Sequence, residues 1–246
     1  MRYGASFPVR VRFTKHGRVR FVGHRDVARA FERAFRIEAL PLAFTEGFSP
    51  RPKVSFGLAL STGYESDDEY LDVSFADAVD VDAVVAGLAG ALPEGITVVD
   101  GAVLRDGAPA LQEAVTAVDW ELTVADADGA PFADAVLAES VAAVLAADEL
   151  VVARTRKGRT RDGDVRPAIR GLEAVGGSRL VLAAEAQPQS VKPVEVLTAL
   201  AQVAPALGTV TEQRVLRKKQ WIERDGARLR PLDADPRPRV PEARAS

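Results

Sequence analysis

The chain has 246 residues, 47% hydrophobic and 27% charged, with a formal net charge of −3; this is the composition of a globular protein, at a length that suits two domains of about 100 to 150 residues. It contains no cysteine, which excludes disulfides, thiolate nucleophiles, iron–sulfur clusters and thiolate zinc sites from its own side chains. The N-terminal MRYGASFPVRVRF lacks an apolar signal core and no stretch reaches the roughly 18 apolar residues of a spanning helix, so a cytoplasmic protein with no membrane partner is expected.

Phe7, Val9, Val11 and Phe13 alternate with Pro8, Arg10, Arg12 and Thr14, the period of a strand with one buried face and one arginine face. After the turn KHG, Val19 and Phe21 continue the apolar side, and Arg18 and Arg20 the basic one. Residues 24–40 change period: Val27, Ala30, Phe31, Ala34 and Phe35 form one helical stripe, with Asp26 in the first turn and Arg25, Arg29, Arg33 and Arg36 off the stripe. Pro41 stops that helix.

Val54, Phe56, Leu58 and Leu60 predict a strand, STGYESDD a turn, and Leu71, Val73 and Phe75 the second strand of a hairpin. Residues 80–92 predict a helix and 96–104 a strand. The order strand, helix, strand, strand, helix, strand is the ferredoxin-like βαββαβ arrangement.

A linker over 105–116 precedes a second run of the same kind. Its strands are expected around Trp120 to Val124, at 150–155, 165–172, 179–185 and 210–223, and its helices at 132–147 and 193–203. One strand is surplus. The expected fold class is therefore α+β, with two ferredoxin-like domains in tandem over 1–105 and 117–223, the second more irregular. Residues 224–246, rich in Pro and Arg without periodicity, are expected to be a disordered tail.

Charge is segregated along the chain. Residues 1–53 carry 12 Lys or Arg against 4 acids, residues 54–150 one base against 20 acids, and residues 151–246 carry 19 bases against 11 acids. Two basic blocks imply a basic surface, and polyanions are its usual partners. The densest local feature is FTEGFSPRPKVSFG, residues 44–57. Pro50 and Pro52 fix their own φ and hold Arg51 extended between them, so its guanidinium is aimed in advance. Beside Lys53 such an arginine suits a phosphate. Gly47 permits a turn, and Phe44 and Phe48 either stack on bases or plug the loop onto the helix.

FVGHRDVARAFERAF, followed by LPLAFTEGFSPRPKVSFGLALSTGYESDDEYLDV, resembles the radical-SAM-linked family, a bacterial domain of unknown function. The resemblance is dense over residues 7–75 and extends to DVRPAI at 164–169. It places His24, Asp26, Gly47, Pro50, Arg51, Pro52, Lys53 and Arg166 at motif positions. It implies a radical-SAM protein as partner, with this chain as the stand-alone form, and a genetic neighbourhood near a ribonuclease E/G. It supplies a neighbourhood and not a reaction.

RTRKGRTR, residues 154–161, puts five bases at a predicted hairpin tip, either a solvated turn or a flexible element that tracks a nucleic-acid backbone. Arg217, Lys218 and Lys219 add charge near Trp221. On the open face of the first sheet Arg10, Arg12, Arg18, Arg20 and Lys53 are expected together, with Tyr70 the only aromatic, an arrangement for phosphate contact more than base readout.

His24 and Asp26 are the only acid–base candidates close together, either for ribonuclease chemistry or for capping. ESDDE at 65–69 reads as a solvated turn.

The expectation is a non-catalytic RNA-binding accessory protein for a radical-SAM enzyme or RNA-processing machinery, without cofactor, metal or DNA specificity. Phosphates of tRNA or ribosomal RNA would meet Arg12, Arg18, Arg20, Arg51, Lys53, Arg154, Arg156, Lys157, Arg159 and Arg166; bases would stack on Phe48 and Tyr70. The alternatives are a metal-independent ribonuclease using His24 and a protein-binding adaptor for the radical-SAM partner.

Overall fold

The computed structural model describes residues 6–156 and 158–236. The protein is α+β, with mostly antiparallel strand pairing, and it divides into two compact units.

The first unit comprises residues 6–62, 68–114 and 227–236. Strand β1 (Phe7–Lys15) leads through a 3₁₀ turn at Gly17–Phe21 into helix α1 (His24–Ile37). The apolar stripe of α1 is buried through Val27, Phe31, Ala34 and Phe35, as its period requires. The expected basic strand continuation at 18–21 is instead that 3₁₀ turn, and Phe21 points to solvent at 62% exposure. A short strand β2 (Val54–Phe56) pairs antiparallel with β3 (Glu65–Phe75). Helix α2 (Val81–Ala91) starts at Asp80, whose carboxylate accepts the backbone N–H groups of Asp82 and Ala83. Strand β4 (Ile96–Val103) then pairs antiparallel with β1. The strand order of this unit is β4-β1-β3-β2. Its core joins Val9, Val11 and Phe13 of β1 to Phe31 and Phe35 of α1, Leu71, Val73 and Phe75 of β3, Leu88 of α2 and Val98 of β4. A single helical turn, α3 (Leu111–Ala114), lies in the predicted linker.

The second unit comprises residues 63–67 and 115–226. It contains β5 (Ala117–Ala125), α4 (Asp134–Ala146), β6 (Val151–Arg156), β7 (Arg159–Asp164), β8 (Ile169–Ala174), β9 (Arg179–Glu185), α5 (Pro193–Val203) and β10 (Thr211–Arg224). Its sheet runs β10-β5-β9-β8, and Glu65 and Ser66 at the start of β3 pair parallel with Leu216 and Arg217 of β10. The surplus strand of the sequence reading is explained by β6 and β7, which form a separate two-stranded hairpin inserted between α4 and β8.

Two expectations are corrected. Residues 224–236 are ordered: β10 extends to Arg224, and β11 (Ala227–Leu229) and α6 (Pro231–Ala234) follow, with Pro231 and Leu232 buried. Low apolar content hid this, because the segment is held by polar contacts, Asp235 receiving the Arg105 side chain at 2.8 Å. The rest of the predicted tail, 237–246, lies outside the described residues. ESDDE is also no turn. It opens an 11-residue strand in which Glu65, Ser66, Asp68 and Glu69 are buried.

Candidate nucleic-acid interface

The acidic strand explains what becomes of the basic blocks. Within the first unit the Arg10 guanidinium donates to both oxygens of Asp72, at 2.7 and 2.8 Å, and also to the carbonyls of Pro231 and Pro109. Arg12 stands 3.7 Å from Asp68. Lys15, also buried, donates to the carbonyls of Arg20 and Val22; burial lowers its pKa, opposed by the neighbouring charge of Glu69. Within the second unit Arg214 pairs with Glu65 and Lys218 with Asp67, each at 2.6 Å. Arg10 and Lys15, taken out of water, need such partners, whereas Arg214, itself half exposed, supplies one to the buried carboxylate of Glu65. Segregation along the chain is therefore in large part a way of pairing strands, and the open basic face expected from Arg10 and Arg12 does not exist.

Several predicted site residues are corrected by their contacts. Tyr70 is 1% exposed and its hydroxyl donates to Asp68 at 2.9 Å, so it offers no face to a base. Burial and the Asp68 charge push its pKa up. Arg154 is turned onto Glu195, both of whose carboxylate oxygens it reaches at 3.0 Å, and onto the Ser190 carbonyl. Arg166 donates to the carbonyls of Leu145, Ala147 and Ile169, capping the end of α4. These guanidiniums are structural. Arg159 and Arg161, on β7, are exposed. The side chain of Arg156 and all of Lys157 lie outside the described residues.

The proline loop is different. Its base is fastened to β3: Ala43 donates to the Ser74 carbonyl, Ser74 to that of Lys53, and Lys53 to that of Ala43. Above this, Thr45 donates its N–H to the Arg51 carbonyl at 2.8 Å and its hydroxyl accepts from the Arg51 N–H at 3.1 Å. A Phe44–Pro52 bridge completes the closure. Gly47 turns the tip with φ +124°, a conformation other residues rarely adopt, and nothing crowds it. Arg51 and Lys53 are exposed, and among the described residues no carboxylate pairs with either. Phe48 projects wholly into solvent, while Phe44 is 39% exposed. Arg18 is exposed, and the Arg20 guanidinium lies over the Phe21 ring, 4.7 Å from its centroid.

His24 opens α1 with its ring edge-on to Phe56 at 5.2 Å. It borders a cavity of about 20 Å³ together with Lys15, Phe56, Glu69 and Tyr70, room for one water. Asp26 is not its partner. That carboxylate pairs with Arg29 at 3.0 Å, so the two residues form no acid–base relay. Among the described residues no cluster of three or more His, Asp or Glu could hold a metal, and no helix is long and apolar enough to cross a membrane.

Sequence reasoning put four arginines off the apolar stripe of α1 but left them out of the binding set. Arg25, Arg29, Arg33 and Arg36 all lie exposed on α1. Their i, i+4, i+8 spacing was the available signal.

Residues 9–219 match the model of a family described as an uncharacterized protein conserved in bacteria (DUF2344). The chain belongs to this family. No curated protein matches it. Among solved structures, one chain of a Cbf5-Nop10-Gar1 complex is 12% identical, with a TM-score of 0.42, covering 86% of this chain and 48% of that one. This chain thus spans about half the length of that relative. A dye-decolorizing protein from V. cholerae is 11% identical, covering 85% of this chain and 91% of the other, with a TM-score of 0.20.

Proposed function

We propose that this family member is a non-catalytic RNA-binding accessory protein that grips phosphates with the exposed cations of the 44–53 loop, aided by Arg18, Arg20, Arg159 and Arg161. The observation that carries the reading is Arg51: held between two prolines on a loop closed by backbone hydrogen bonds, it keeps its guanidinium in solvent with no described carboxylate to satisfy it. The ordering cost of a phosphate contact is thereby met before the ligand arrives. Phe48 supplies a stacking face beside it.

The ligand in this reading is tRNA or ribosomal RNA in the cytoplasm, presented to a radical-SAM enzyme or to an RNA-processing machine. The resemblance of the 7–75 stretch to radical-SAM-linked domains supports that partner. Both units are read as ferredoxin-like; the orders β4-β1-β3-β2 and β10-β5-β9-β8, each with two intervening helices, support this.

The test is a titration of labelled tRNA and of ribosomal RNA fragments at rising salt. Affinity should fall steeply, and Arg51→Ala with Lys53→Ala should reduce the slope of log K against log salt by about 1.5, the share of two phosphate contacts. Absent or salt-independent binding refutes the reading.

A further inference from the structure

We propose that the arginine face of α1 is a second, independent polyanion-binding surface, and that its ligand is a double-stranded segment of RNA held by its phosphates. The inference rests on the RNA-binding reading above and adds both a site and a class of ligand to it.

At about 100° per residue, Arg25, Arg29, Arg33 and Arg36 fall within an arc of about 80°. The buried residues Val27, Phe31, Ala34 and Phe35 occupy the opposite side of the helix. The face is therefore directed to solvent over its whole length, about 17 Å from Arg25 to Arg36.

A merely solvated face balances its charges; here four arginines meet, at the edge of their arc, the exposed carboxylate of Glu32, within about 20° of Arg25. This face breaks two local rules. Arg25, Arg29 and Arg33 repeat at i, i+4, where like charges repel. Arg25 also sits in the first turn, where the macrodipole disfavours a cation. Compensation is slight: Asp26 takes Arg29, and the Arg36 Nε donates to the Glu32 carbonyl, not to its carboxylate. Among the described residues neither Arg25 nor Arg33 has an ion-pair partner. Local cost without a folding return is the mark of a binding surface.

The shape selects the ligand. Guanidiniums about 6 Å apart along a straight rod form a regular array, which suits the regular backbone of a duplex. No aromatic side chain stands among the four arginines, so the face cannot offer the stacking platform on which single strands are held. Duplex RNA is recognised by shape and phosphate contacts of this kind.

The full chain would be titrated against a duplex RNA of about 20 base pairs and an unstructured single strand of equal length. Four proteins are compared: wild type, the loop variant Arg51→Ala/Lys53→Ala, an α1 variant with Arg25, Arg29, Arg33 and Arg36 each replaced by Gln, and one with the same four replaced by Lys. The α1 variant should bind the duplex at least tenfold more weakly, with a salt slope smaller by about 3. Its circular dichroism should match wild type and its melting temperature should be no lower, and the corresponding fourfold Lys variant should recover the slope. If wild type binds and the α1 variant keeps the wild-type slope, this inference falls while the RNA reading stands. If the single strand binds wild type as tightly as the duplex, the ligand assignment falls. If wild type binds neither RNA, both readings fall together.

Discussion

Arg10 and Asp72, 62 residues apart in sequence, are joined by two parallel contacts of 2.7 and 2.8 Å, and the arginine is 0% exposed. The same guanidinium also reaches the carbonyls of Pro231 and Pro109, so one buried side chain ties β1, β3, α6 and the segment before α3 within the first unit. Replacing it by Met leaves the Asp72 carboxylate, 19% exposed, without its counterion. The loss should be about 3 kcal/mol, the lower end for a broken buried pair. Arg10→Lys keeps the charge but not the fork and should recover only part of it. Urea unfolding midpoints of the two variants measure this, and an Arg10→Met midpoint equal to wild type would refute it.

The basic hairpin allows stability and binding to be separated. Arg154 has an 11% exposed side chain bonded to a Glu195 carboxyl that is 8% exposed, whereas Arg161 is exposed on the neighbouring strand. Arg154→Ala should therefore lower the unfolding free energy by about 3 kcal/mol, because Glu195 is left buried and unpaired. Arg161→Ala should leave the melting temperature unchanged and weaken RNA binding several-fold at low salt. Thermal melts and RNA titrations of the two variants should give opposite patterns. Equal stability losses would place both arginines in the fold and remove the hairpin from the interface.

Gly95 is a position where the backbone, not the side chain, dictates the residue. Its φ is +92°, its carbonyl accepts the N–H of His16 at 2.8 Å, and a Cβ there would stand 2.4 Å from the His16 carbonyl oxygen and 2.7 Å from a Val19 methyl. Gly95→Ala should cost at least about 2 kcal/mol from strain and overlap together. Gly47→Ala faces the same unfavourable φ but open space, so it should cost less. A chemical denaturation series on both variants checks the ranking.

How far the sequence could be read follows from what each element is made of. Elements with a clean apolar period were legible: β9 and α5 lie at 179–185 and 193–203 as expected, and α1 and α2 are shifted only at their ends. β3 was legible only in its second half, through Leu71, Val73 and Phe75; its start was not, because the carboxylates there pair with Arg12, Arg214 and Lys218, and a run such as ESDDE carries no apolar signal. The candidate site divides the same way. The exposed setting of Arg51 on a closed loop was legible because two adjacent prolines constrain it locally. Arg154 and Arg166 were not, since their partners Glu195 and the α4 carbonyls are distant in sequence, and a charge pattern alone does not tell a paired guanidinium from a free one.

A pH experiment follows from Tyr64 and Glu212. In the second unit the Tyr64 hydroxyl donates to the Glu212 carboxylate at 2.6 Å. Burial raises the Glu212 pKa above its ordinary 4.5, while the Tyr64 hydrogen bond pulls it back down. Because the folded pKa lies above the unfolded one, the unfolded chain releases this proton first as pH rises. The Glu212 contribution to stability is therefore lost between pH 4.5 and the folded pKa. Tyr64→Phe removes the donor and raises the folded pKa further, so the decline should deepen and extend to higher pH, with an added loss of about 1 to 3 kcal/mol once the carboxylate is charged and unpartnered. Glu212→Gln should flatten this part of the profile. Urea midpoints from pH 4 to 7 distinguish the three proteins, and a Tyr64→Phe profile parallel to wild type would mean that the hydroxyl does not hold the charged carboxylate.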